Sequence, residues 1–377
     1  MTQKRLNKRQ QRLERQRRIK KKRRKRLAII LIEIIILTGL GVVAYGMFVM
    51  DKMDTTTLNK DKLEVYKDTG DYTNIALFGL DSREGELDGG VQSDCIMICS
   101  IDNKTNEIKL VSVYRDTLLK VTQEKYGKAN SAYRIGGPSE AIALLNRNLD
   151  MDIEKYISVN FNALADVVDA LGGIDIDMTE EEVYWTNGYS VETSEVVGRE
   201  TKDLSGAGVH TLDGVQAVSY ARIRYTEGMD FKRTQRQRIV LEKIAEKAQK
   251  ANVVTLNNIV NKVMPQISTN LTTANMLGLA AHATDYKLGE MSGFPFEVTT
   301  CEKVKNHKGS YVTAVGLSQN VSELHEFLFG EKDYQPSDTV KQISEDVIYM
   351  TGVDPDTYKL TTDYSYKSGG GDSEDGN

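Results

Sequence analysis

The sequence predicts an α/β fold: a central mixed β-sheet flanked by helices and joined to a membrane anchor. Three observations predict it. Residues 74–80, 95–101 and 108–114 are short apolar runs with the hydrophobicity of strands covered on both faces. From residue 138 onwards strand-like runs alternate with helical patterns, as in layered α/β domains. A block of fifteen Lys/Arg and one acid, Glu14, fills residues 1–26 and precedes the apolar residues 27–50, where Glu33 is the only charge.

Taken in order, residues 27–50 are long enough at about 1.5 Å per residue to cross a hydrocarbon core of about 30 Å with some tilt. The basic block before them keeps residues 1–26 in the cytoplasm and places everything after Asp51 outside. A cleaved signal peptide would have a shorter apolar core and a small-residue cleavage site, and Tyr45-Gly-Met-Phe-Val-Met-Asp51 offers none. Beside an apolar span, the basic block reads as topology signal and lipid-headgroup contact rather than a nucleic-acid arm. The remaining residues carry 34 Lys/Arg against 53 Asp/Glu, a net charge of −19. That balance excludes a general binder of nucleic acid or other polyanions.

Residues 51–71 read as a polar stalk, 72–250 as the core domain, 251–362 as a further extracellular part and 363–377 as a disordered Gly- and acid-rich tail. Within the core, the turn-forming residues 102–107 join the second and third strands as an antiparallel pair. Pro138 opens a helix to Leu149, with Ala141, Leu144, Leu145 and Leu149 at helical spacing. Residues 156–159 form a strand. Residues 161–171 form a helix closed by Gly172-Gly173, and residues 174–178 a further strand. The polar stretch 179–210 reads as an irregular surface excursion. Residues 212–222 and 232–250 are helices, and 254–287 are mostly helical. Cys95 and Cys99 lie on one face of an extended strand, too far apart to bridge, and Cys301 is alone. The four histidines show no zinc-ligand spacing.

The chemistry concentrates in residues 221–238, which hold Arg222, Arg224, Arg233, Arg236 and Arg238 around a single acid pair, Glu227 and Asp230. Guanidiniums this close repel one another unless an anion sits among them, and their planar forks match phosphate oxygens. Arg222 and Arg224 are two apart at a helix end, and Arg233 and Gln237 are four apart on one helix face. Lys232, Arg236, Lys243 and Lys247 read instead as a solvated basic face. Asp81-Ser-Arg83 follows the first strand, Ser93-Asp94 starts the second and Arg115-Asp116 follows the third. If the first two strands are antiparallel neighbours, Asp81 and Asp94 share one edge and suit a hard cation, Mg²⁺ or in its place Mn²⁺, with phosphate oxygens as further ligands.

In order along the chain come Gly79-Leu-Asp-Ser-Arg83, Ser93-Asp94, Val113-Tyr-Arg-Asp116, Lys128-Ala-Asn-Ser-Ala-Tyr133, Gly136-Gly137, Leu171-Gly-Gly-Ile-Asp-Ile176, Leu212-Asp-Gly214, Ala221-Arg-Ile-Arg-Tyr225 and Asp230-Phe-Lys-Arg-Thr-Gln-Arg-Gln237. This ordered set resembles the LytR–CpsA–Psr family over residues 74–245. Tyr114 stands where that family commonly has Pro, and Cys95 where it has Thr; neither is a charged position. The resemblance implies an α-β-α sandwich with a hydrophobic pocket for a lipid tail. It implies a membrane-anchored phosphotransferase of a Gram-positive envelope. Such an enzyme moves a teichoic acid, capsular polysaccharide or other anionic glycopolymer from an undecaprenyl diphosphate carrier to peptidoglycan. On this reading Arg83, Arg115, Lys128, Arg222, Arg224, Arg233 and Gln237 hold the diphosphate, and Asp81 and Asp94 hold Mg²⁺. Asp230, or else Asp116, accepts the proton of the attacking sugar hydroxyl, although the guanidiniums around Asp230 favour its carboxylate and weaken it as a base. Apolar helical residues between 139 and 171 are candidates for the tunnel wall. The residues alone leave open a non-catalytic envelope regulator and a polyprenyl pyrophosphatase with water as acceptor.

Overall fold

The computed structural model describes residues 54–358, apart from 83–86, 88–89, 227 and 283–284. The expected basic tail, apolar span and C-terminal tail therefore lie outside the described residues, as does Arg83. Among the described residues no helix is long and apolar enough to cross a membrane.

The first half of the chain supplies β1 (Asp54–Thr55), β2 (Tyr72–Leu80), β3 (Ser93–Asp102), β4 (Glu107–Val113), β5 (Leu118–Lys120), β6 (Tyr126–Lys128), α1 (Ser131–Leu149), β7 (Lys155–Val159), α2 (Phe161–Ala170) and β8 (Ile174–Met178). Then come α3 (Glu180–Val197), β9 (Gly208–Leu212), α4 (Gly214–Arg222), α5 (Met229–Lys250), α6 (Val253–Val263), β10 (Ile267–Thr269) and α7 (Thr273–Ala281). The last elements are β11 (Lys287–Phe294), β12 (Val298–Cys301), β13 (Tyr311–Ala314), α8 (Leu317–Phe329) and α9 (Asp338–Thr351).

Seven strands form one mixed sheet in the order β1-β10-β7-β2-β3-β4-β11. β2 runs antiparallel to β3 and parallel to β7. β3 and β4 are antiparallel, as the turn between them predicts. In that turn the Asp102 carboxylate accepts the backbone N–H groups of Lys104 and Thr105, and Asn106 takes the left-handed φ of 59°. β10 and β11 place residues beyond 250 in the same sheet as the first strands.

Side chains alternate across the sheet. Phe78 and Leu80 of β2, Ile96 and Ile98 of β3, and Val111 and Val113 of β4 point to one face, where α1, α8 and α9 cover them. In α1, Gly136 and Gly137 leave helical geometry (Gly137 φ 62°), and Pro138 starts the second leg. The opposite face meets a layer with a core of its own. Val168 of α2, Ile174 and Ile176 of β8, Leu212 of β9, Tyr220 of α4 and Val240 of α5 pack together around the β8–β9 hairpin. No residue of the seven-stranded sheet belongs to that second cluster among the described residues.

The expectation of an irregular excursion over 179–210 is overturned. Residues 180–197 form a helix, opened by a reciprocal Thr179–Glu182 capping box and closed by Gly198 at φ 68°. Its buried positions are Val183, Thr186, Ser190 and Thr193, three of them hydroxyl residues, so the helical stripe leaves almost no hydrophobic period to read. Residues 208–212 then pair with β8.

Candidate active site

The antiparallel β2–β3 pair builds the floor of the site. Gly79 pairs with Cys95 and Leu80 with Ser93, so Asp94 is the extra residue of a β-bulge. A Cβ on Gly79 would lie 2.8 Å from the Cys95 Cβ, so only glycine allows this approach. Just beyond the bulge the Asp81 N–H donates to the Gln92 carbonyl at 3.1 Å. Asp81 and Asp94 thus share one edge of the sheet, as the antiparallel pairing predicts.

From that edge a cavity of about 370 Å³ runs between the sheet and the second layer. Its inner wall is apolar: Leu77, Met97, Ile157 and Val159 from the strands, Leu164 from α2, Val218 from α4 and Val240 from α5. Its mouth is polar: Asp81, Asp94, Arg222, Arg224, Arg233 and Gln237. The expected tunnel wall within 139–171 is corrected in part. Phe161 and Leu164 line the cavity, but Ala141, Leu144, Leu145 and Leu149 pack into the core on the far face of the sheet. Helical periodicity marks an apolar stripe without saying which side of the sheet it meets.

Asp94 is the hub of the charged residues. Arg115 Nη1 lies 2.6 Å from Asp94 Oδ1, and Arg224 Nη2 and Arg233 Nη1 lie 3.0 Å and 3.6 Å from Oδ2. Behind it, Asp230 Oδ1 lies 2.8 Å from Arg233 Nη2 and 3.5 Å from Arg115 Nε. Asp116 lies 3.2 Å from Lys128 Nζ and 3.9 Å from Arg115 Nε. Arg115, Asp116, Lys128 and Asp230 therefore form a second row behind the mouth, and Lys128 reaches the others through Asp116. Arg222 turns to α3, where it donates to Thr193 Oγ1 at 2.9 Å and Glu192 Oε2 at 3.0 Å and lies over the rings of Phe161 and Tyr189.

Arg236 does not belong to a solvated basic face. It is 4% exposed, with Nε 2.9 Å from Glu182 Oε1 and Nη2 2.9 Å from Thr226 Oγ1. It ties α5 to α3 and to the loop that carries Arg224.

Burial opposes ionisation of Asp94, but the guanidiniums of Arg233, Arg115 and Arg224 outweigh it and hold its carboxyl below the usual range. Arg233 is 2% exposed, and burial pulls it below the usual arginine range despite Asp230 and Asp94. Burial pushes the Cys95 thiol up to about 12, so it lines the cavity as an inert apolar group. The three cysteines are free.

Several buried polar atoms at this web find no hydrogen-bond partner among the described residues: Arg115 Nε, Arg233 Nε and Nη1, and Asp230 Oδ2. Buried donors left over beside an open cavity suit an anionic ligand that brings its own acceptors. For a metal, no cluster of three or more His, Cys, Asp or Glu stands ready among the described residues. Asp81 and Asp94 alone fit Mg²⁺, which takes one or two carboxylates and completes its shell with phosphate oxygens and water. Zinc, which wants a closed set of N and S ligands, does not fit.

The residues that sequence reasoning missed are Tyr189 and Glu192 on α3 and Tyr225 after Arg224. The first two sat in a stretch read as irregular. Tyr225 ends the Ala221-Arg-Ile-Arg-Tyr225 motif, but an aromatic beside arginines carries no signal of its own.

Residues 41–326 match the LytR_cpsA_psr family. The chain is 30% identical over 275 residues to the polyisoprenyl-teichoic acid–peptidoglycan teichoic acid transferase TagU of Bacillus subtilis (strain 168), covering 70% of this chain and 83% of that one. It is 29% identical over 261 residues to the TagU of Enterococcus faecalis (strain ATCC 700802 / V583), covering 66% and 79%. Among solved structures, TagT bound to LI-WTA aligns with a TM-score of 0.52 at 21% identity, covering 76% of this chain and 94% of that one. A transcriptional regulator from Enterococcus faecalis aligns with a TM-score of 0.55 at 23% identity, covering 78% and 99%. These two likenesses establish the α/β fold.

Proposed function

The chain belongs to the LytR–CpsA–Psr family, and from that membership and the geometry of the cleft we propose that it is a phosphotransferase of the cell envelope. It takes an anionic glycopolymer, a teichoic acid or another secondary polysaccharide, from an undecaprenyl diphosphate carrier and attaches it to peptidoglycan. The observation that carries the reading is an apolar cavity opening onto buried guanidiniums with N–H groups left over. A polyprenyl tail fills the first and a diphosphate satisfies the second. The relatives named as teichoic acid transferases supply the reaction class.

Arg224 and Arg233, with Arg222 and Gln237, hold the diphosphate at the mouth, Arg115 supports them from the second row, and Arg83, outside the described residues, joins them on the sequence motif alone. Asp81 and Asp94 hold Mg²⁺, which when bound neutralises charge on the phosphate oxygens. Asp94, the counterion of Arg115, Arg224 and Arg233, would be free to hold the ion where phosphate oxygens take up those guanidiniums. A peptidoglycan hydroxyl attacks the sugar-linked phosphorus, and the P–O bond to the polyprenyl phosphate breaks. Asp230 accepts the hydroxyl proton. Its Oδ1 is held by Arg233 at 2.8 Å while its Oδ2 has no hydrogen-bond partner among the described residues; Asp116, held by Lys128 at 3.2 Å, is the alternative base. Residues 27–50 anchor the chain in the membrane, with residues 1–26 inside the cell and the cleft outside, where carrier and peptidoglycan meet.

The test is reconstitution of the full-length protein with lipid-linked polymer, peptidoglycan and Mg²⁺. Covalent polymer–peptidoglycan product is expected, with none from Arg115→Ala. Release of free polymer phosphate without coupling would mark a pyrophosphatase. Failure to bind any polyprenyl diphosphate would remove the reading altogether.

A further inference from the structure

Four aromatic rings, two lining the cavity and two continuing outward from it, take no part in the chemistry above. Tyr184 is 69% exposed and Tyr225 66% exposed. Trp185 lies between them, its ring centroid 5.2 Å from Tyr184 and 5.0 Å from Tyr225. Tyr189 stacks with Tyr225 at 6.4 Å, the planes 24° apart. Tyr189 and Tyr225 line the cavity beside Arg222 and Arg224, and Trp185 continues the row outward. A row of part-exposed rings at the rim of a cleft marks a binding surface.

What binds there follows from covalent order, and this step rests on the diphosphate reading above. The apolar interior takes the tail and the guanidiniums take the two phosphates. The next group bonded to the phosphate is the first sugar, which must leave through the mouth. A pyranose ring carries an axial C–H face that packs flat on an aromatic ring and a polar edge that needs hydrogen bonds. The rim offers both: the ring row, and the Glu192 carboxylate that Arg222 holds at 3.0 Å. A tail alone would need no rings outside the cavity. We infer that Tyr184, Trp185, Tyr189 and Tyr225 form a stacking platform for the first sugars of the lipid-linked glycan, and that this platform, not the phosphate clamp, discriminates among polymers.

Trp185 is the only tryptophan of the chain, so all tryptophan emission comes from this row, where Trp185 also packs on the second-layer core. Full-length protein in lipid nanodiscs is titrated with polyprenyl diphosphate and with polyprenyl diphosphate carrying one N-acetylhexosamine. The sugar-bearing ligand should shift Trp185 emission and bind about three- to tenfold tighter, the scale of one aromatic stacking contact. By calorimetry, Trp185→Ala and the surface variant Tyr184→Ala should both shrink that difference and leave the Kd of the sugar-free carrier within about twofold. Equal affinity and equal emission for the two ligands in the parent protein would overturn the inference. So would equal weakening of both ligands in the variants, which assigns the rings to the carrier. Quenching of Trp185 by brominated acyl chains in the nanodisc would assign them to the membrane and overturn it too. Binding of neither ligand strikes the diphosphate reading itself, an outcome separate from the other three, and removes the platform with it.

Discussion

Replacing Asp94 with Asn tests the web at its hub. Asp94 lies within 2.6 to 3.6 Å of three guanidiniums, of which Arg233 is 2% exposed. Without that charge, Arg115 and Arg233 keep Asp230, and Arg224 keeps no ion pair among the described residues. Removing one partner from a buried charge pair costs about 3–5 kcal/mol. The Asp94 side chain is 18% exposed and Asp230 remains, so the lower end applies, about 3 kcal/mol. At 2–4 °C per kcal/mol, the full-length protein in detergent should melt about 6–12 °C lower by scanning calorimetry. The loss should also depend on pH. The folded Asp94 carboxyl titrates below its unfolded value, so its stabilisation is complete above about pH 4 and disappears as pH falls through the lower folded value. Asp94→Asn should therefore flatten part of the acid limb of the stability curve. A second arm isolates the electrostatic cause: inorganic pyrophosphate should raise the melting temperature of the variant more than that of the parent, because the anion replaces the missing charge. An unchanged melting temperature, or equal gains with pyrophosphate, would refute the argument that Asp94 is the counterion of the cluster.

Three further outcomes follow from the same geometry. Asp230→Asn should lower turnover by about 10²–10⁴ while polyprenyl diphosphate still binds; near-normal turnover in the reconstituted assay would move the base elsewhere. Val218→Phe points added bulk into the cavity and should weaken binding of the long-chain carrier while inorganic pyrophosphate binding persists, read by competition calorimetry. Arg236→Ala strands the Glu182 and Thr226 partners and should cost about 3 kcal/mol in urea unfolding, whereas a truly solvated arginine would cost almost nothing.

The charged residues of the site were legible because strand ends and a basic cluster leave marks that survive without a fold. Asp81, Asp94 and Arg115 flank apolar runs, and antiparallel pairing of the first two runs brings Asp81 and Asp94 to one edge. What stayed hidden was mostly a matter of partners. Arg236 and Arg233 look alike in sequence, but one is answered by Glu182 and the other by Asp94 and Asp230, and only packing decides which acid meets which base. α3 escaped because its buried stripe is built from Thr and Ser, with Ser190 Oγ donating to Thr186 O and lying 3.1 Å from Ser219 Oγ rather than packing as a hydrophobe.

The cavity has a similar origin. β2, β3 and β7 read as strands covered on both faces, since Leu77, Met97, Ile157 and Val159 are as apolar as Phe78 and Ile96 behind them. A pattern of apolar residues states that a face avoids water and not what covers it. Here the facing layer gathers a core of its own around the β8–β9 hairpin, and among the described residues none of the seven-stranded sheet joins it, so a cavity stays between the two. Unfilled apolar surface forfeits the contacts that close packing supplies, and on the proposed function a lipid tail would restore them. The same web leaves Arg233 Nε and Nη1 without hydrogen-bond partners among the described residues, and on the proposed function phosphate would supply them. If tail and head occupy the apolar and polar halves of the cleft as proposed, carrier binding is coupled to stability: the carrier should protect α4 and α5, whose residues line both halves, from amide hydrogen exchange more than inorganic pyrophosphate does, because pyrophosphate completes only the polar half.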